Sequence, residues 1–193
     1  NITGIKPHKI TEKGICRTYQ NIRLFSQMSA LENVMVGGHC RSESGVMRSV
    51  FRTRYQRSEE KTLKENAEEL LEIVGLIKYK DVLAENLAYG QQRRLEIARA
   101  LASDPSLLLL DEPAAGMNEN ETDSLFDLIK QVQARGITVL IIEHDMPLVM
   151  KLCDRITVLN FGEKLAEGTP LEIQNNEAVI EAYLGKEEED DIA

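Results

Sequence analysis

Two short apolar runs, Leu107–Leu110 and Ile137–Ile142, bracket a stretch in which Leu125, Leu128, Ile129 and Val132 recur at helical spacing. Runs this continuous do not alternate between a wet and a dry side, so they suit strands covered on both faces. A strand, a crossover helix and a second such strand close as a parallel pair, which commits the chain to an α/β sheet. Each run ends in charge: Asp111-Glu112-Pro113 after the first, Glu143-His144-Asp145 after the second. In an open parallel sheet, ligands bind at the carboxyl ends of the strands. The chemistry belongs there.

The remaining pattern fills in around this unit. A strand is predicted over Gly14–Tyr19. Ser29 and Glu32 have the spacing of a capping box at the start of a helix. From Glu59 the period is helical, with Leu63, Ala67, Leu70, Leu71 and Val74 on one face and Gly75 as the stop. Another helix is predicted over Gln91–Ala102, opening directly after Gly90 and ending before Pro105. Beyond the second run come a short helix at Pro147–Leu152 and a hairpin of Arg155–Asn160 and Lys164–Ala166 around Phe161-Gly162-Glu163. Short helices follow at Leu171–Asn175 and Glu177–Leu184, then an acidic tail.

Composition narrows the function classes. With 193 residues, 42% hydrophobic and 28% charged, the chain is an ordinary globular domain and not a disordered segment. The formal net charge is -9, and five acidic residues stand together at 187–191. A general nucleic-acid binder is therefore not expected. The one basic neighbourhood, residues 41–61, has no aromatic interleaving for base stacking and reads as a surface segment or a partner contact. Three scattered cysteines, Cys16, Cys40 and Cys153, form no CxxC pair and fit a reducing compartment. No run is long enough to cross a bilayer, and the first residues lack a secretion-signal pattern.

Two adjacent carboxylates after four leucines are costly unless a cation meets them. Magnesium, a hard cation that prefers oxygen ligands, suits Asp111, while Glu112 points elsewhere and can polarise a water. His144, at the end of the neighbouring strand, is a candidate contact for a terminal phosphate. The turn Leu87-Ala88-Tyr89-Gly90-Gln91 opens a helix, where free N–H groups favour an anion and Gly90 permits its close approach. His8 and His39 have no such setting and are read as surface residues.

In order along the chain, Tyr19-Gln20, Leu87 to Arg94, Leu107 to Pro113 and Glu143-His144-Asp145 resemble the ATP-binding subunit of an ABC transporter. More narrowly they resemble the ATPases of branched-chain amino-acid importers, a likeness strengthened by Asn21-Ile22-Arg23-Leu24-Phe25, Glu112 to Asn118 and the ending Ala182-Tyr183-Leu184-Gly185. The resemblance implies a P-loop NTPase-like parallel sheet with a helical subdomain. Its parts would be a partial RecA-like core with the Q-loop (1–28), the helical subdomain ending in the signature (29–101), a second core segment (102–185) and the tail (186–193). It implies ATP and Mg²⁺ as cofactors. Gln20 is then the Q-loop glutamine, sensing magnesium and the attacking water; Asp111 is the magnesium-associated carboxylate, Glu112 the catalytic base and His144 the switch histidine. Leu87, Ala88, Tyr89, Gly90 and Gln91 form the signature, which contacts ATP held by a second subunit, and Asn118 stands in the D-loop of that interface. Two positions depart from the family pattern: Ala88 replaces a serine and Asn118 an aspartate.

The resemblance also implies partners: a second ATPase subunit, identical or not, and transmembrane permease subunits at the cytoplasmic face of the membrane. The motif G-x-x-x-x-G-K-[ST] does not occur in the 193 residues. The chain accordingly reads as the C-terminal part of a larger ATPase that is inactive by itself, with uncovered sheet edges or faces. The alternatives are an ABC ATPase outside transport and a catalytically silent interaction remnant. The arrangement expected is that Gln20, Asp111, Glu112 and His144 converge, with the turn at 87–91 facing outward.

Overall fold

The structure is a computed structural model that describes residues 1–39 and 54–184; of 54–59 and 184 it describes the backbone alone. Cys40, most of the basic segment and the acidic tail lie outside the described residues. The chain divides into two compact units, Asn1–Ile142 and Glu143–Ala193.

In the first unit, helix α1 (Pro7–Glu12) leads into strand β1 (Ile15–Arg17). Helices α2 (Ala30–Gly38), α3 (Arg54–Ile73) and α4 (Tyr89–Leu101) follow, then β2 (Leu107–Asp111), α5 (Glu119–Ala134) and β3 (Thr138–Ile142). The capping box at Ser29 is present. Its hydroxyl accepts the Glu32 N–H at 3.2 Å, and Glu32 Oε2 accepts the Ser29 N–H at 2.8 Å. The periodic residues Ala67, Leu71 and Val74 are buried, and Gly75 ends the helix with φ +70°. The three helices pack on one another. Contact between α2 and α4 is closest at Gly37, where a β-carbon would stand 2.1 Å from the Arg99 carbonyl oxygen. Only glycine fits there.

The three strands pair in parallel in the order β1-β2-β3, with Ile15 opposite Leu107 and Leu108 opposite Val139. Parallel pairing follows from the crossovers, which are helical in both cases. Cys16, Leu108 and Leu110 line the dry face, and α5 adds Leu125, Leu128, Ile129 and Val132, all buried. Each such side chain contributes about 1.5–3 kcal/mol of burial. The expectation of a sheet covered on both faces is corrected. Arg17, Asp111, Leu140 and Ile142 share the other face, where Leu140 and Ile142 are 50% and 52% exposed. Within the first unit this face stays exposed.

The second unit comprises α6 (Met146–Leu152), an antiparallel hairpin of β4 (Ile156–Asn160) and β5 (Glu163–Gly168), and short helices α7 (Pro170–Gln174) and α8 (Glu177–Val179). The hairpin stands where the turn residues Phe161 and Gly162 place it, both at positive φ. Ile156, Val158, Ala166, Ile173 and Val179 form its core.

Candidate active site

The site is built where β1 and β2 end. Asp111 is the last residue of β2 and Glu112 the next, and their side chains diverge as strand alternation requires. Glu112 also departs from extended geometry, with φ +43°, while its N–H still donates to Ile142 O at 2.9 Å. A non-glycine residue in this left-handed region costs about 1–2 kcal/mol, a strain of the sort held at functional positions. Glu112 Oε2 accepts a 2.7 Å hydrogen bond from Gln20 Nε2, so two residues 92 positions apart meet here.

Asp111 has a different partner. Arg17 of β1 donates to Asp111 Oδ2 at 2.6 Å. This bond, with the charge of the carboxylate, holds the Arg17 pKa above its ordinary value. Sequence reasoning anticipated a cation for this carboxylate and assigned magnesium; within the chain, the cation is Arg17. The guanidinium also lies over the Tyr19 ring, 5.5 Å from its centre, and Arg23 approaches the same ring at 5.0 Å.

Hard oxygen donors dominate this edge: the Asp111 and Glu112 carboxylates and the Gln20 amide. Among the described residues, no group of three or more His, Cys, Asp or Glu side chains could hold a metal by itself. That donor set fits Mg²⁺, which takes one or two protein oxygens and keeps waters or phosphate oxygens for the rest.

The turn at 87–91 is only partly open. Ala88 and Tyr89 are exposed, whereas Leu87 and Gly90 are buried. The expected outward-facing Gly90 is therefore corrected. A β-carbon at Gly90 would stand 2.5 Å from Glu121 Oε1, so a carboxylate of the first turn of α5 covers it. Electrostatics and helix capping explain the placement: Glu121 Oε2 accepts the Asn118 N–H at 3.1 Å, and Asn118 Oδ1 accepts the Glu121 N–H at 3.1 Å. Asn118 thus caps α5. An anion approaching Gly90 meets this carboxylate first. Gln91 Oε1 accepts the Ala88 N–H at 3.0 Å, one half of a capping box at the start of α4, whose other half Ala88 has no side-chain oxygen to supply. The Tyr89 hydroxyl donates to Ala115 O at 3.0 Å, tying the turn to the loop after Glu112.

His144 belongs to the second unit, two residues past the end of β3 in sequence; its side chain is 75% exposed and its Nδ1 lies 3.8 Å from Glu143 Oε2. His8 and His39 are exposed, as expected. Sequence reasoning missed Arg93 and Glu96, buried in α4 and bonded to the segment that carries Gln20. The sequence pattern gave no signal for them, since neither falls on the side of the helix that carries Leu95, Ala98 and Leu101.

A parallel strand ending in Asp111-Glu112, a glutamine three residues past the end of its neighbouring strand and a helix-opening turn at 87–91 are the pattern of an ATPase of the ABC type. Residues 1–115 match the ABC transporter family, and the chain belongs to it. Residues 163–189 match a second family, described as branched-chain amino acid ATP-binding cassette transporter. Among its relatives is the high-affinity branched-chain amino acid transport ATP-binding protein BraF of Pseudomonas aeruginosa, 48% identical over 186 residues, 96% of this chain and 73% of BraF. LivG of Escherichia coli, which carries the same description, is 43% identical over 187 residues, again 96% of this chain and 73% of the relative. The ADP conformation of MJ1267, an ATP-binding cassette of an ABC transporter, superposes with a TM-score of 0.77 at 33% identity, covering 96% of this chain and 74% of MJ1267. The fold is that of an ABC ATPase, and the chain is an ATP-hydrolysing subunit of an ABC transporter. No described helix is long and apolar enough to cross a membrane.

Proposed function

We propose that this subunit powers a branched-chain amino-acid importer. Its likeness to BraF and LivG supports the solute class. The observation that carries the catalytic reading is the 2.7 Å bond between Gln20 Nε2 and Glu112 Oε2 at the carboxyl end of the parallel sheet. Glu112 takes the proton of the attacking water, and Gln20 orients that water against it. Asp111 and Gln20 would hold Mg²⁺, which would supply charge to offset that of the phosphates. Leu87, Ala88, Tyr89, Gly90, Gln91 and Asn118 face ATP held by a second ATPase subunit, a role that needs the Glu121 carboxylate to move off Gly90. His144 contacts the terminal phosphate.

The main grip on the β- and γ-phosphates is assigned to a phosphate loop that is not among these 193 residues. The subunit docks on permease subunits at the cytoplasmic face of the membrane. The test uses the full-length protein with its permease in proteoliposomes. Glu112→Gln is expected to lower ATP turnover at least about 100-fold, to leave ATP affinity unchanged and to stop leucine uptake. Wild-type turnover in that variant would overturn the catalytic reading. ATP-driven uptake of another solute, with none of leucine, isoleucine or valine, would overturn the solute.

A further inference from the structure

One turn of α4 carries an ion pair that neither a signature turn nor a packed helix requires. Arg93 is wholly buried, Glu96 is 2% exposed, and their side chains meet at 3.0 Å. A buried pair rarely stabilises a fold relative to apolar residues of the same shape, which directs attention to what else the two charges hold. Both hold backbone of the segment after β1. The Arg93 guanidinium donates to Tyr19 O at 2.6 Å and to Gln20 O at 2.7 Å. Glu96 Oε1 accepts the Arg23 N–H at 3.2 Å. Peptide groups on both sides of the glutamine are thereby fastened to a single helical turn.

The chain of bonds continues in both directions. From this clamped backbone the Gln20 side chain reaches Glu112. On the other side, Arg93 approaches the Tyr89 hydroxyl at 3.4 Å, and that hydroxyl donates to Ala115 O. Glu112, Gln20, Arg93, Tyr89 and Ala115 are thus linked in sequence. Arginine suits the central place because its planar fork serves two carbonyls and a carboxylate together, which a lysine ammonium cannot do. Its Nε has no hydrogen-bond partner among the described residues, and the two terminal nitrogens make its bonds to them.

We infer that Arg93 and Glu96 are positioning residues for Gln20: they fix the backbone from which its amide addresses Glu112, and neither touches the reacting atoms. The inference rests on the proposed role of Glu112 and Gln20. Its test is a double-mutant cycle in the full-length ATPase. Arg93→Lys is expected to lower kcat about 10- to 100-fold with KM for ATP held within about twofold. Combined with Gln20→Ala, it should add no further loss, because both changes remove one function. The paired replacement Arg93→Met with Glu96→Met keeps the helix packed and should match Arg93→Lys in kcat without lowering Tm. Hydrogen exchange in that variant should accelerate at the Arg23 amide and not in β2. Full turnover in Arg93→Lys, losses that multiply with those of Gln20→Ala, or an unchanged Arg23 amide would overturn the inference while leaving the proposed function standing. Wild-type turnover in Gln20→Ala would instead overturn the assigned role of Gln20, and this inference with it.

Discussion

Replacing Gly37 by alanine tests the close approach of α2 to α4. The added β-carbon would stand 2.1 Å from the Arg99 carbonyl oxygen and 2.9 Å from both its carbonyl carbon and its Cγ. Restoring an ordinary separation requires α2 and α4 to part by about 1.3 Å, and the atom in the way is backbone that cannot rotate aside. Overpacking of this kind costs roughly 1–3 kcal/mol, the upper end applying where backbone must shift. Alanine regains about 1 kcal/mol of helix propensity, so the net loss is about 2 kcal/mol. For a chain of this size Tm should fall by roughly 4–8 °C. Gly38→Ala is the control: its β-carbon meets Leu63 Cδ1 at 2.6 Å, the far end of a flexible side chain, and Ala102 O only at 3.4 Å. It should stay within about 0.5 kcal/mol of wild type. Urea and thermal denaturation followed by circular dichroism measure both. A Gly37→Ala protein as stable as Gly38→Ala would refute the packing argument.

Acid should weaken the fold through its carboxylates. The Ser29 N–H holds Glu32 below its ordinary value, Lys80 does so for Glu68, and the Thr169 N–H for Glu172. A pKa lowered by folding contributes stability above the unfolded value, about 4.3, and loses it as pH falls through the lowered one. The urea midpoint should therefore decline below about pH 4.3, and Glu32→Gln should flatten that decline; a midpoint steady to about pH 3 would contradict the assignment. Leu140 and Ile142 on the open sheet face give a third expectation. This 193-residue chain should self-associate at high concentration, and Leu140→Lys should reduce the association, as read by light scattering. Equal scattering from the two proteins would argue against that face as the cause.

The helices were legible because their signals are local. Ser29 with Glu32 marks a start, Gly75 a stop, and the burial of Leu125, Leu128, Ile129 and Val132 follows from their spacing. The strand ends were legible for the same reason, since an apolar run that stops at Asp111-Glu112 can stop nowhere else. What escaped is contact between distant segments. Nothing in the local pattern around Arg17 reveals Asp111, and nothing around Arg93 reveals the carbonyls of Tyr19 and Gln20. Gly90 was placed correctly on a helix-opening turn, but its cover comes from Glu121, 31 positions later, through a capping arrangement that is itself local.

The bond between Gln20 and Glu112 spans 92 positions, and β1 must find β2 across the whole helical region before it can form. Helices with reciprocal caps can organise early from neighbouring residues, whereas a closure this long carries its entropy cost first and gains its contacts afterwards. With the role proposed for these two residues, hydrolytic competence is a late event in the life of a newly made chain, arriving only once its two distant stretches have joined.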